Sequence, residues 1–129
     1  MAQIKIYGLA ASLSMHAERL SSAIHSAVME ALSYPEEKKF HRFIALEEAH
    51  FIFPKGRSES YIIIEILMFE GRSVEAKRNL IRLLFQNIES DAQIAPQDVE
   101  ITIQESPKHN WGIRGFFGDE LPLGYKVEV

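Results

Sequence analysis

Tyr61-Ile62-Ile63-Ile64-Glu65-Ile66-Leu67-Met68-Phe69-Glu70-Gly71-Arg72-Ser73 is the stretch on which the fold turns. A run of β-formers broken only by Glu65 gives way, through a glycine and an arginine, to a segment of helical period. Ser73 reads as the cap of that helix, and Leu80, Leu83, Leu84, Phe85 and Ile88 supply its apolar stripe. Pro96 follows, and Val99-Glu100-Ile101-Thr102-Ile103 alternates strictly, as a strand does. Arg72 therefore sits at a strand-to-helix junction. A cation beside the free N–H groups that open a helix is well placed to hold a carboxylate or another anion.

Upstream, the same order of elements occurs once more. Gln3 to Leu9 reads as a strand, and Ser12 or Ser14 as the cap of a helix. Leu20, Ile24, Ala27, Val28 and Leu32 form its stripe, with Arg19, Ser22, Ser26 and Glu30 turned away. Pro35 ends the helical region and Phe40 to Leu46 resumes as a strand. The expected layout is one domain, 1–129, of two βαβ units at about 3–47 and 61–105. Helical crossovers of this length imply parallel pairing within each unit. The fold class is α+β, a four-stranded mixed sheet with two helices on one face. The segments 49–60 and 106–119 read as loops, and Tyr125-Lys126-Val127-Glu128-Val129 as a short strand added to an edge.

That layout raises a question of burial. Both faces of the strand from Tyr61 to Phe69 are apolar, and each gains roughly 25 cal/mol per Å² of apolar surface removed from water. Helices on one face leave the other to be covered by neighbouring subunits or by the C-terminal segment.

Composition narrows the function classes. A chain of 129 residues with 47% hydrophobic and 25% charged residues has material for one real core. A net charge of −4 argues against a nucleic-acid partner. With no cysteine, disulfides and thiolate chemistry are excluded. The five histidines show no metal-ligand spacing, so neither a metal nor a cofactor is expected. No apolar run is long enough for a membrane span, and no leader is read, so a cytoplasmic location is the expectation.

The doubled βαβ layout, the stretch Phe69-Glu70-Gly71-Arg72-Ser73-Val74-Glu75-Ala76-Lys77 and the later Asn110-Trp111-Gly112 together resemble the tautomerase superfamily. That superfamily includes 4-oxalocrotonate tautomerase, macrophage migration inhibitory factor and malonate semialdehyde decarboxylase. The resemblance implies a homotrimer whose sheets line a central barrel, which would answer the question of burial. It also implies keto–enol proton transfer, an isomerase chemistry, by an amino-terminal proline of lowered pKa, with arginines holding a carboxylate. Here the chain reads Met1-Ala2-Gln3-Ile4-Lys5, with no proline before Pro35. Removal of Met1 would put a primary amine of ordinary pKa, about 8, on Ala2 at the proline's place. With Met1 retained, the amine is expected to lie one residue too far out.

Arg72 and the Ala2 amine are thus the candidate catalytic groups, and Arg57, Trp111, Arg114 and Lys38 the candidate substrate contacts. Each has a plainer reading. Arg57 and Arg114 sit in loops and read first as surface arginines, Lys38 and Lys39 read as solvated, and Trp111 serves packing equally well. Glu65 reads as facing a polar barrel interior or an interface partner. Two functions follow: a tautomerase-like enzyme acting on a small 2-oxo or enol carboxylic acid, or a trimeric relative without the base that binds a small anion or a protein partner.

Overall fold

Four strands and two long helices follow from these patterns, and the computed structural model describes all of them, over residues 1–129. The strands are β1 (Ala2–Leu9), β2 (His41–Leu46), β3 (Ile62–Phe69) and β4 (Val99–Ser106). The helices are α1 (Ala10–Leu32) and α2 (Val74–Ala92). The sheet order is β2-β1-β3-β4. β1 runs parallel to β2 and β3 parallel to β4, while the central pair β1/β3 is antiparallel. Each helix ends on a left-handed residue, Ser33 or Gln93.

One face of the sheet meets the helices. Ile4 and Ile6 of β1 and Ile62, Ile64, Ile66 and Met68 of β3 are fully buried against Leu20, Ile24, Leu80, Leu84 and Ile88. Each such side chain contributes about 1.5–3 kcal/mol of burial. The other face carries Gln3, Lys5 and Tyr7 opposite Leu67, Glu65 and Ile63. Glu65 is half-buried there, accepting from the Tyr7 hydroxyl at 2.9 Å with the Lys5 ammonium at 3.7 Å. The ends of this face are covered locally: Phe51 and Phe53 pack on Tyr61, and Trp111, Met1 and Val127 pack on Phe69. Its middle remains open.

Several expectations need correction. α1 starts at Ala10, directly after β1, with Leu9 in the cap position and no side-chain cap. Neither Ser12 nor Ser14 caps it, because the chain turns into the helix before reaching them. β2 begins at His41 rather than Phe40. The segment from Tyr125 to Val129 forms no strand. It lies across the C-terminal end of β3, where burying Val127 against Met1 and Phe69 substitutes for strand pairing. The loop after β4 also carries a small hairpin, β5 (Gly112–Ile113) with β6 (Phe116–Phe117). Gly118 follows it, where a Cβ would come 2.2 Å from the Lys108 carbonyl oxygen. No helix is long and apolar enough to cross a membrane.

Candidate active site

The junction after β3 is built around a buried cation. Gly71 turns the chain at a φ of +131°, in the region that favours glycine, and a Cβ there would stand 3.1 Å from Val127 Cγ1. Ser73 caps α2, its Oγ accepting from the Ala76 N–H at 3.0 Å. Between them Arg72 is only 5% exposed. Its Nη1 donates to the Phe69 carbonyl at 3.4 Å, while Nε and Nη2 are buried without a partner. Burial pushes its pKa down, opposed by the oxygens of Tyr125 and Tyr34. Glu105, the acid whose charge reaches it, is engaged by Lys77 at 2.6 Å. A buried guanidinium with two unused donors is costly unless an anion joins it.

Antiparallel pairing of β1 with β3 brings the start of the chain to the same place. The Phe69 N–H donates to the Met1 carbonyl at 3.3 Å. The Met1 nitrogen and the Tyr125 hydroxyl are hydrogen-bonded at 2.5 Å. Burial, then the charges of Arg72, Lys108 and Lys38, pushes the Met1 amine down to about 5. Such an amine is unprotonated at neutral pH and its lone pair is available as a base. Tyr34 stands behind, its hydroxyl accepting from the Ala2 N–H at 3.1 Å and its ring 4.9 Å from that of Tyr125, edge to face. Trp111 packs edge-on against Phe69, centroids 5.1 Å apart, with a buried and unpartnered Nε1.

Of the residues singled out from sequence, Arg72, Trp111 and Lys38 converge on this site and Arg57 and Arg114 do not. Arg57 lies at the opposite end of β3, donating to Glu100 at 2.7 Å and lying over the Tyr61 ring at 5.5 Å. Arg114 is at the exposed tip of the β5–β6 hairpin. Ala2 is buried with its N–H given to Tyr34, so in the chain as it stands the amine at the site is that of Met1. That amine lies at the Arg72 junction, and its pKa is lowered because the C-terminal segment folds over it and excludes water. Tyr34, Tyr125 and Lys108 were missed. Only the position of Tyr34, just before Pro35, hinted at a fixed turn. No three His, Asp or Glu side chains converge as metal ligands.

A cleft of about 700 Å³ lies elsewhere, at the start of α1, between Leu9, Ser12, Met15, Phe51, Phe53 and Arg57. Its cation, Arg57, is already paired with Glu100 at 2.7 Å, unlike Arg72.

Comparison with known proteins agrees with this geometry. The chain is 24% identical over 99 residues to the probable tautomerase YusQ of Bacillus subtilis (strain 168), covering 73% of this chain and 78% of that protein. It superposes on malonate semialdehyde decarboxylase with a TM-score of 0.81 at 21% identity, covering 92% of this chain and 99% of that one. It superposes on a fused 4-OT described as a wild type symmetric trimer with a TM-score of 0.76 at 19% identity, covering 91% and 96%. Both likenesses show the double βαβ fold. A model of the family described as tautomerase enzyme matches residues 38–114, from the loop before β2 through the Arg72 junction to the β5–β6 hairpin, and the chain belongs to that family.

Proposed function

We propose that the chain is a tautomerase-like enzyme that moves a proton on a small 2-oxo or enol carboxylic acid. One observation carries this reading: Arg72 is buried with two unpartnered nitrogens beside an amine that is neutral at pH 7. A carboxylate on Arg72 satisfies the guanidinium, and the Met1 nitrogen takes a proton from the carbon next to the ligand's carbonyl. Arg72, with Lys38 and Lys108 nearby, stabilises the charge that develops. Trp111 supplies an apolar wall. Were Met1 removed by processing, the amine would pass to Ala2, beside the Tyr34 hydroxyl.

The test is the pH dependence of phenylpyruvate enolisation. The base acts when unprotonated, so the rate rises as pH passes upward through about 5 and then levels. No turnover at any pH defeats the enzymatic reading. It leaves the second, a non-catalytic relative that binds a small anion, which the C-terminal segment lying across the site favours.

The assembly proposed is a homotrimer. Its support is the open middle of the sheet, where Tyr7, Ile63 and Leu67 are only half-buried, together with the trimeric fused 4-OT. Sedimentation should give about three times the 14.7 kDa subunit mass. A stable monomer at micromolar concentration would refute it.

A further inference from the structure

We infer that Tyr125 is the acid half of the site, donating its phenolic proton to the carbonyl oxygen of a ligand seated on Arg72 while the Met1 nitrogen takes the proton from the adjacent carbon. The inference rests on the function proposed above and deepens it. Its first support is distance: the hydroxyl is 2.5 Å from the nitrogen, so acid and base share one hydrogen bond. A hydroxyl that pairs with the amine through its oxygen still has its own proton to give. The second is placement. The oxygens of Tyr125 and Tyr34 are the first groups that favour the charged form of Arg72, so the phenol lies within electrostatic reach of the anchor. Tyr34 is the worse donor of the two, because burial first and then Tyr125 beside it push its pKa up.

The third support is that Tyr125 is held. Its ring meets Tyr34 at 4.9 Å, and Val127 is 1% exposed between Met1 and Phe69. The Ser73 N–H donates to the Val129 backbone oxygen at 2.9 Å. Glu128 reaches Lys108 at 3.9 Å. The bare Cα of Gly71 leaves the room that Val127 occupies. The segment thus delivers a phenol to one place.

The proton balance closes without an outside reagent. The C–H bond beside the carbonyl breaks, its proton goes to the Met1 nitrogen, and its electrons form the C=C bond of the enol. The carbonyl oxygen takes the Tyr125 proton. The ammonium then passes its proton across the shared hydrogen bond to the tyrosinate, which Arg72, Lys38 and Lys108 stabilise while it lasts. Ketonisation is the reverse.

The experiment compares the parent with Tyr125→Phe, which keeps the ring against Tyr34. Phenylpyruvate turnover is followed, and phenylacetate binding is measured by calorimetry. The expected result is a loss in kcat of roughly a hundredfold, with phenylacetate affinity unchanged within about twofold, as one removed phenol away from the carboxylate predicts. If Tyr125→Phe misfolds, 3-fluorotyrosine placed at 125 keeps ring and hydroxyl but makes the phenol a stronger acid, and should change kcat at fixed pH while leaving phenylacetate affinity unchanged. Unchanged turnover in either variant, or parallel loss of binding and turnover, overturns the role of Tyr125 while the Arg72 reading stands. A parent that binds no phenylacetate and turns over no phenylpyruvate fails the function itself, and this inference falls with it.

Discussion

The two strand-to-helix junctions occupy equivalent places in the double βαβ chain yet differ in chemistry. At the first, Gly8-Leu9-Ala10 passes from β1 straight into α1, with an apolar residue at the turn and no side-chain cap. At the second, Gly71-Arg72-Ser73 separates β3 from α2, buries a cation and caps the helix through Ser73. Because β1 and β3 are antiparallel, the junctions lie at opposite ends of the sheet. The first opens onto an unfilled cleft, whereas the second is covered by the C-terminal segment and carries the start of the chain. One topology therefore supplies two helix N-termini but a buried cation at only the second. What separates them is the residue between strand and helix, Leu9 or Arg72, and what the chain ends do there.

The contrast is broken most directly at Arg72. Arg72→Ala should weaken binding of phenylacetate by about 1.5–3 kcal/mol, ten- to a hundredfold, through loss of a charge-assisted contact. Leu9→Ala should leave that binding unchanged. Calorimetry checks both, and equal affinities in parent and Arg72→Ala would make Arg72 a structural arginine.

Glycine comes next. Gly71→Ala forces a side chain into a left-handed backbone and against Val127, at a cost of about 1–3 kcal/mol. It should also loosen the C-terminal segment. Gly8→Ala meets only the Leu13 and Ile62 side chains, at 3.0 and 3.2 Å, with no backbone strain. Thermal melts should separate the two, and faster amide exchange at Ser73, whose N–H donates to the Val129 oxygen, should appear only in the Gly71 variant.

A smaller effect belongs to the first half. His41 is hydrogen-bonded to the Ser21 hydroxyl at 2.8 Å, with the His25 ring 6.0 Å away and Lys39 beside it in sequence. Burial first, then the charges of His25 and Lys39, pushes its pKa from 6.5 down to about 4. The folded ring resists protonation, so its contribution is whole above pH 6.5 and is lost as pH falls toward 4. Allowing for solvent screening of a half-buried ring, the loss is about 1–2 kcal/mol. His41→Gln should remove this acid limb from the stability profile; an identical profile would assign the limb to other groups.

The smallest contrast is in capping. Ser73→Ala should cost about 1 kcal/mol, and Ser14→Ala less than about 0.5, because only Ser73 caps a helix. Chemical denaturation of the two variants decides it, and equal losses would erase the distinction between the junctions.

Much of this was legible in the chain. The apolar period located β3, both helices and β4, and the Gly-Arg-Ser junction marked the place where a cation is buried. The cap of α1 was misread because serine is a good cap in general, and only the direct passage from β1 into α1 left Ser12 and Ser14 without that task. The tail was misread for a similar reason. Tyr125-Lys126-Val127-Glu128-Val129 alternates like a strand, but the apolar pocket at Phe69 and Met1 offered its valine more than a sheet edge did. Arg57 and Arg114 were candidates because loop arginines with aromatic neighbours look alike in sequence whichever end of the sheet they occupy.

Local pattern determined the elements, their order and the cation at the second junction, since helix and strand periods and a strand-to-helix turn are properties of neighbouring residues. The proposed base and acid are of another kind. Met1 and Tyr125 are 124 positions apart, and nothing local in either predicts a hydrogen bond of 2.5 Å. The pKa of the amine depends on water excluded by Val127, Phe69 and Trp111 and on cations from three separate loops. Desolvation and long-range charge exist only once the chain has closed on itself, so the reactivity of this site was decided by the tertiary structure alone.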